Sequence, residues 1–172
     1  MEKLINNNMT PNKLPKGTVK YLSERLKDEY NANRFYRYAS NCLKSVGYFV
    51  AADYFAKEAV EEMEHARGLQ DYAADWNNEL DFLALESVEE TEGIIDIVNH
   101  AYEIEWALLK KYKENSMDAW DEGDLSTFNF LKKYVDIQTQ SVIDYSDKLN
   151  MLALFDSADK NWLFDNEKKL FK

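Results

Sequence analysis

Four long segments of the chain place an apolar residue at every third or fourth position. This spacing is that of the buried face of an amphipathic helix. The segments cover about residues 18–46, 48–77, 92–120 and 126–153, with Thr18 as a predicted N-cap. At 1.5 Å per residue each helix is ~42 Å long, and helices of such equal length pack side by side as a four-helix bundle. The pattern therefore predicts an all-α fold.

The connections between these helices predict how they are arranged. Gly47 separates the first two helices and a short turn at 121–124 separates the last two, so each pair is expected to be antiparallel. Residues 78–91 join helices 2 and 3 and are more than a tight turn needs. We expect a long crossover that leaves these two helices parallel; the alternative is an ordinary surface loop. A shorter amphipathic piece at 161–171 predicts a fifth, C-terminal helix.

Each of the four helices carries a polar residue within its apolar stripe, near the middle of the helix. These residues, called the donor set below, are Glu29, Glu62 with His65, Glu105 and Gln138. Glu62 and His65 are one turn apart and share a face. Burying lone carboxylates costs several kcal/mol unless positive charge compensates them. The pattern therefore predicts that the donor set meets at one level of the bundle around a pair of metal ions.

The chemistry of the donor set limits which metal it suits. Three carboxylates, one imidazole and one amide suit Fe(II), Mn(II) or Zn(II), and carboxylates can bridge two ions. Di-iron bundles commonly have two Glu-x-x-His pairs, but here the fourth helix has Gln138 and Ser141 instead. One metal position thus has a full set of ligands and the other has few. A weakly ligated second position favours iron that is bound, oxidised and released. Tyr36, two turns after Glu29, is a candidate to hydrogen-bond a ligand or to give up an electron.

Composition supports the helical interpretation. The 172 residues include five glycines and two prolines, Pro11 and Pro15. After residue 16 the chain has no proline and only five glycines, which are too few turn residues for an all-β fold. Residues 1–16 are polar and Asn-rich, so we predict a flexible N-terminal tail followed by one domain over residues 17–172.

Charge and cysteine content narrow the partners and the compartment. The formal net charge of −11 opposes binding to nucleic acid and to anionic lipid, whereas it suits cations. The single cysteine, Cys42, excludes an internal disulfide framework and fits a reducing, cytoplasmic compartment. No stretch approaches the ~20 apolar residues of a membrane span, and the N-terminus lacks the apolar core of a signal peptide. We expect neither a nucleic-acid nor a membrane partner.

Several motifs together resemble the ferritin family, in particular the bacterial non-haem ferritins. The stretches that carry the resemblance are DEYNAN at 28–33, EEMEH at 61–65, YEIE at 102–105, STFNFL at 126–131 followed by Tyr134 and Val135, and NWLFD at 161–165. The resemblance covers about residues 18–171, in order and spacing across four helices. It implies a ferritin-like four-helix bundle with a long crossover between helices 2 and 3 and a short fifth helix.

The resemblance also implies a function and a role for each member of the donor set. Glu29, Glu62 and His65 would form the first iron site. Glu62 would bridge to a second site completed by Glu105, with Gln138 nearby, and Tyr36 matches the family's site tyrosine. Such proteins oxidise Fe(II) with dioxygen or hydrogen peroxide and store a ferric oxide mineral inside a homo-oligomeric shell of 24 subunits.

The fourth helix departs from the pattern of bacterial members, which usually carry further glutamates there. At those positions this chain has Ile137, Gln140 and Ser141, so a third iron site is expected to be absent although Glu61, its other ligand position, is kept. Met63 stands where haem-binding relatives place an axial methionine. Because non-haem members also have methionine here, haem is not expected.

Two other interpretations stay open at this point. A shell-forming subunit with a degenerate, slow ferroxidase centre would fit the substituted fourth helix. A rubrerythrin-like di-iron oxidase or peroxidase would usually add a second Glu-x-x-His and an iron site held by four cysteines, and the sequence has neither. The smaller DNA-protecting relatives divide their ligands across a subunit interface, which the complete set within one chain disfavours.

Overall fold

The structure is a computed structural model that describes residues 12–154 and 160–171, and these residues form five helices and no strand. The helices are α1 (Lys16–Ser45), α2 (Phe49–Asp75), α3 (Ile94–Asp121), α4 (Leu125–Ala153) and α5 (Lys160–Leu170). All five lie within a few residues of the predicted segments, so the all-α prediction is confirmed. Most of the predicted tail, residues 1–11, lies outside the described residues. Its last position, Lys16, is already the first residue of α1.

The start of α1 differs from the prediction. Pro15 occupies the N-cap position, and the predicted N-cap role of Thr18 is wrong. Thr18 is instead fully buried inside the first turn, where its hydroxyl accepts a hydrogen bond from Tyr21 at 3.3 Å. The chain is anchored just before the helix, because Leu14 is buried and its N–H donates to Asn78 Oδ1 at 2.8 Å.

Tight turns join α1 to α2 and α3 to α4. Gly47 and Gly123 have φ values of 94° and 74°, a left-handed conformation that glycine adopts without steric cost. In the second turn the Asp124 N–H donates to Ala119 O at 2.8 Å, and the Asp124 carboxylate then caps α4 by accepting from the Thr127 N–H at 3.0 Å. Both helix pairs are therefore antiparallel hairpins.

The connection between α2 and α3 runs along α1 for most of its length. Backbone and side-chain groups pair in rising order along both segments: Asn78 with Leu14, Asp81 with Ser23, Glu86 with Asn31, and Thr91 with Tyr38. An extended segment of this length spans ~43 Å, enough to pass the whole bundle. It delivers the start of α3 to the end where α2 starts, so α2 and α3 are parallel. The predicted long crossover is confirmed.

The short helix α5 closes one end of the bundle. The Glu167 carboxylate is buried and accepts a hydrogen bond from the Ala51 N–H at 2.7 Å, in the first turn of α2. Phe171 packs against the rings of Tyr54 and Phe55, with centroid distances of 5.5 and 5.9 Å. These contacts confirm the predicted fifth helix. Within the described ranges, no helix is long and apolar enough to cross a membrane.

Candidate metal centre

The donor set lies in the interior of the bundle, near the middle of each long helix. Its carboxylates, its amide and the adjacent tyrosine are almost completely buried, with exposed fractions of 0% for Glu29, 4% for Glu62, 1% for Glu105, 0% for Gln138 and 0% for Tyr36. His65 is half-buried. Three carboxylates at such depth destabilise a folded chain unless cations or donors compensate them.

Two of the helices bring Glu29, Glu62 and His65 into one compact group. His65 Nδ1 lies 3.1 Å from Glu62 Oε2 and 3.6 Å from Glu29 Oε2. One potential ligand atom from each residue lies within 4.8 Å of the other two. Metal bonds to nitrogen and oxygen are ~2.1 Å long, so two ligands of one ion are at most ~4 Å apart. Small side-chain adjustments would therefore let these three residues hold one ion.

Two buried tyrosines orient the carboxylates. The Tyr112 hydroxyl donates to Glu29 Oε1, and the Tyr36 hydroxyl donates to Glu105 Oε1. Among the described residues, the second oxygen of each carboxylate, Oε2, has no hydrogen-bond partner. Each glutamate thus has one oxygen fixed by a phenol and one left available for a ligand.

The Gln138 side chain on α4 is also buried and has unpartnered polar atoms. Neither its Nε2 nor its Oε1 atom has a hydrogen-bond partner in the part of the chain that the structure describes. An unpartnered buried polar atom costs about 1–3 kcal/mol, so several within one small region require an explanation. Divalent cations bind oxygen ligands of this kind. The unpartnered oxygens of Glu29, Glu105 and Gln138 therefore fit a metal site.

Burial and neighbouring charges shift the pKa values of the three carboxylates in the metal-free protein. Burial, together with the charges of Glu29 and Glu105, raises the pKa of Glu62 well above its usual value. Burial likewise raises the pKa of Glu105 to about 8. Burial also opposes ionisation of Glu29, but the polar groups of His65 and Glu62 close to its carboxylate and the charge of His65 outweigh burial and lower its pKa.

The imidazole completes this arrangement. Burial disfavours the charged form of His65, but the Glu29 carboxylate, whose Oε2 atom lies 3.6 Å from Nδ1, outweighs burial and raises the pKa of His65. The directions of these pKa shifts favour a charged pair of Glu29 and His65 beside protonated Glu62 and Glu105 in the metal-free protein. A bound cation would replace these protons, because ligands bind metals in their deprotonated forms.

Sequence reasoning missed two residues that position His65. The Tyr134 hydroxyl on α4 donates to the His65 carbonyl oxygen at 2.9 Å, and the two rings meet edge to face at 5.9 Å. Tyr134 also stacks on Tyr112, 4.9 Å between centroids. A Cβ atom on Gly68 would lie 2.5 Å from the Tyr134 hydroxyl oxygen. The sequence signal that could have revealed this contact was a glycine in the middle of a helix, where glycine lowers helix stability by about 1 kcal/mol relative to alanine.

The positions that depart from the family pattern lie toward the surface of α4. Ile137 is 39% exposed, and the Gln140 amide is exposed and donates to Asp144 Oδ1 at 2.8 Å. The Ser141 hydroxyl donates back to the Ile137 carbonyl oxygen at 3.4 Å. None of the three brings a carboxylate to the donor set. Glu61 and Met63 also lie on exposed positions of α2.

Comparison with known proteins gives this geometry a family context. The profile of the family described as Ferritin-like domain matches residues 19–155. A probable bacterial non-heme ferritin-like protein of Haemophilus influenzae is 29% identical over 144 residues, covering 81% of this chain and 87% of the relative. A bacterial non-heme ferritin of Campylobacter jejuni is 30% identical over 127 residues, covering 73% and 75%.

Solved structures show the same fold. An open-pore ferritin from the archaeon Archaeoglobus fulgidus superposes with a TM-score of 0.85 at 24% identity, covering 91% of this chain and 96% of the other. A humanized archaeal ferritin superposes with a TM-score of 0.86 at 23% identity, covering 92% and 97%. At this level of identity the likeness establishes the bundle architecture, and the chemistry has to come from the donor set.

Proposed function

Because this chain belongs to the ferritin family, we propose that it is an iron-storage subunit that oxidises Fe(II) at a di-iron site within its own bundle. The observation that carries the proposal is the group formed by Glu29, Glu62 and His65. Buried, unpartnered side-chain oxygens on Glu105 and Gln138 support it. Iron is the substrate, which enters as Fe(II) and leaves as ferric ion for storage. The site residues bind it in passing.

Two neighbouring positions are proposed for the two ions. Glu29 and His65 hold the first ion, Glu62 bridges, and Glu105 with the Gln138 amide holds the second. Each position has one carboxylate of its own and shares Glu62, but the second has the Gln138 amide where the first has the His65 imidazole. An amide is the weaker donor to iron, which supports release of the ferric ion from the second position after oxidation. Tyr36 keeps Glu105 in place through its hydrogen bond.

The stoichiometry of the reaction explains why two ions are needed. Each Fe(II) gives up one electron, so two adjacent ions supply the two electrons that reduce dioxygen, with two protons, to hydrogen peroxide. Peroxide can serve in turn as oxidant for a further pair of Fe(II). Metal binding displaces the protons of Glu62 and Glu105 and the shared proton of Glu29 and His65, which leaves the carboxylates fully charged for ligation.

We also propose that the subunits assemble into a hollow shell, with 24 copies as the number that the family resemblance implies, in a cytoplasmic compartment. Exposed apolar side chains support assembly: Phe82 and Leu85 on the crossover are 72% and 42% exposed, and Val60 on α2 is 59% exposed. Large apolar side chains with this exposure are candidates for surfaces that a partner covers. A second copy of this chain is the partner that a shell requires.

Stopped-flow oxidation of Fe(II) by the purified assembly, with particle size measured on the same sample, tests this function. Glu62→Ala and His65→Ala should each slow the initial oxidation by roughly 100-fold or more, as losses of direct ligands exceed losses of supporting groups. Glu64→Ala is the matched control, since Glu64 is exposed on the same helix. An initial rate that is unchanged in both site variants would refute the assigned centre.

The same experiment separates this function from the alternative of a shell subunit with a slow, degenerate centre. That alternative is favoured by one observation, the neutral Gln138 amide where another carboxylate would complete the second position. It predicts a correctly assembled particle whose oxidation rate is hardly above that of Fe(II) in buffer. Fast oxidation in an assembly of this chain alone would exclude it.

A further inference from the structure

Arg25 is the one arginine or lysine that is buried within the described ranges, with 5% of its surface exposed. It lies on α1 one turn before Glu29, so the two side chains share a helix face. A guanidinium keeps its positive charge inside a protein. A buried cation at this place is unexpected, because it repels the ions that the neighbouring carboxylates are proposed to bind.

Three polar pairs in a row join this part of α1 to α3. In chain order along α1, the pairs are Arg25 with Asn115, Asp28 with Lys111, and Glu29 with Tyr112. The guanidinium donates to the Asn115 side-chain oxygen at 3.2 Å. Its charge also reaches the Tyr112 hydroxyl, where burial and Glu29 raise the pKa and Arg25 opposes that rise. Arg25 therefore acts on the layer of the bundle that holds Glu29.

The charge of Arg25 is only partly neutralised. Its Nη2 atom lies 2.9 Å from Asp28 Oδ2, but the Lys111 ammonium contacts both oxygens of the same carboxylate, at 2.9 and 3.0 Å. One carboxylate thus serves two cations. Asn115 is uncharged, and Arg25 Nε has no hydrogen-bond partner in the described parts of the chain. The Lys111 side chain is 43% exposed, so solvent screens its charge, whereas the buried guanidinium is screened much less.

This fixed charge discriminates between ions of different charge. Coulomb repulsion is proportional to the charge of the bound ion, so Arg25 disfavours a trivalent ion more than a divalent one. The ligands of the first position have the opposite effect, because the carboxylates of Glu29 and Glu62 attract the higher charge more strongly. Without an opposing charge, the first position would therefore retain the ferric product.

We propose that Arg25 is a specificity-determining residue of the first metal position, where its charge favours Fe(II) over Fe(III) and thereby promotes loss of the ferric product. The inference rests on the proposed function, because it takes iron oxidation at the donor set as given. Each Fe(II) still gives its electron to the oxidant named above, and Arg25 acts only through its charge. It gives a reason for release from the first position, which lacks the weak amide ligand of the second.

A mixed soak of crystals of the assembled protein in Zn²⁺ and Ga³⁺ tests this discrimination without redox chemistry. Ga³⁺ has the charge of the ferric ion and is supplied as a citrate complex to keep it in solution. Diffraction at the two absorption edges gives the occupancy of each ion at Glu29, Glu62 and His65. The concentrations are chosen so that the unmodified protein binds both ions to a comparable extent.

Arg25→Gln should raise the ratio of gallium to zinc at the first position. The expected rise is roughly tenfold, the order that one unit of charge produces across ~10 Å at an effective dielectric constant of ~20. An unchanged ratio, with both ions bound, would overturn this inference and leave the proposed function standing. A donor set that binds neither ion would contradict the proposed function as well.

Asp28→Asn separates the effect of charge from that of structure. It breaks the same ion pair as Arg25→Gln but leaves the guanidinium without its counterion, so the ratio of gallium to zinc should fall. If Arg25 only held α1 against α3, the two substitutions would loosen the same contact and shift the ratio in the same direction. A shift in the same direction would therefore overturn the inference.

Two control variants complete the series. Arg25→Lys keeps the charge but loses the planar group of donors, so the ratio should stay close to that of the unmodified protein. Arg37→Gln removes a positive charge from an exposed position of α1 and should also leave the ratio unchanged, because solvent screens that charge. A rise in either variant as large as that in Arg25→Gln would contradict the assignment.

Lys111→Gln covers the case in which Arg25→Gln does not fold, since loss of one partner of a buried ion pair is strongly destabilising. The substitution removes the half-exposed ammonium and leaves the Asp28 carboxylate to neutralise Arg25 alone. The ratio of gallium to zinc should rise, by less than the tenfold expected for Arg25→Gln. An unchanged or lower ratio in Lys111→Gln would overturn the inference.

Discussion

The hydroxyl oxygen of Tyr134 occupies the space where a side chain on Gly68 would begin, 2.5 Å from the position of an added Cβ. From there it donates to the carbonyl oxygen of His65, the one imidazole of the donor set. The same tyrosine stacks on Tyr112, which donates to Glu29. A single residue of α4 therefore supports two proposed ligands that lie on two other helices.

Gly68→Ala should weaken zinc binding at the first position and slow Fe(II) oxidation. Alanine favours a helix by about 1 kcal/mol over glycine, but overpacking costs about 1–3 kcal/mol and here displaces the hydroxyl that supports His65. Zinc affinity by calorimetry measures the effect. Gly17→Ala is the control, since no heavy atom of the described residues lies within 4 Å of a Cβ added in α1 at that position. Equal losses in both variants would point to a general effect on folding.

Combining Gly68→Ala with Tyr134→Phe should restore part of the lost affinity. The phenylalanine removes the clashing oxygen, and the next tyrosine atom, Cζ, lies 3.8 Å from the added Cβ, an ordinary contact distance. Tyr134→Phe alone should lower the zinc affinity of the first position modestly, because it removes one hydrogen bond worth about 1 kcal/mol. If the loss of zinc-binding free energy in the double variant equals the sum of the losses in the two single variants, the proposed steric relationship is wrong.

Glu105→Gln should stabilise the metal-free protein in alkaline solution. The pKa of Glu105 is raised to about 8 in the folded state, so the folded protein holds a proton that the unfolded chain releases at lower pH. The stability of the unmodified protein therefore falls as pH rises from ~4.5, the ordinary value, through 8, by at most about 1.4 kcal/mol per pH unit. The amide of the Glu105→Gln variant does not titrate, so it adds no such dependence of stability on pH.

Urea unfolding of the metal-free protein at several pH values measures this difference. The gain of Glu105→Gln over the unmodified protein should be small near pH 5 and should grow up to about pH 8. Glu103→Gln, an exposed carboxylate on the same helix, serves as the control. A gain that is the same at every pH would show that the buried carboxylate is not protonated. The same substitution should lower the rate of Fe(II) oxidation, because it removes a proposed ligand. Such a trade of stability against function is common at binding sites.

Gln138→Glu should convert transient iron binding at the second position into retention. A further carboxylate completes the second position and holds the ferric product more tightly, while adding one more buried charge that destabilises the metal-free protein. Iron that stays with the protein after oxidation and brief chelation measures retention. Gln140→Glu, which adds the same charge on an exposed turn of the same helix, should leave retention unchanged. Equal retention in the two variants would contradict the assignment of Gln138.

Much of the fold could be read from the sequence because it depends on local periodicity. The helix bounds and the polar interruptions at Glu29, Glu62 and Glu105 follow from the three-to-four-residue spacing that any α-helix imposes. The crossover followed from the length of a single connection. The start of α1 could not be read this way, because Thr18 satisfies the rule for an N-cap but lies in a buried first turn.

The sequence by itself determined that five polar side chains would face one interior level, since the helical repeat places them there whatever the neighbouring helices do. Only the tertiary structure decided which atoms remain available. The phenols of Tyr36 and Tyr112 each occupy one carboxylate oxygen, and Tyr134 reaches His65 across 69 positions of the chain. Such contacts depend on how separate helices are rotated and offset against each other, and no local pattern records that packing.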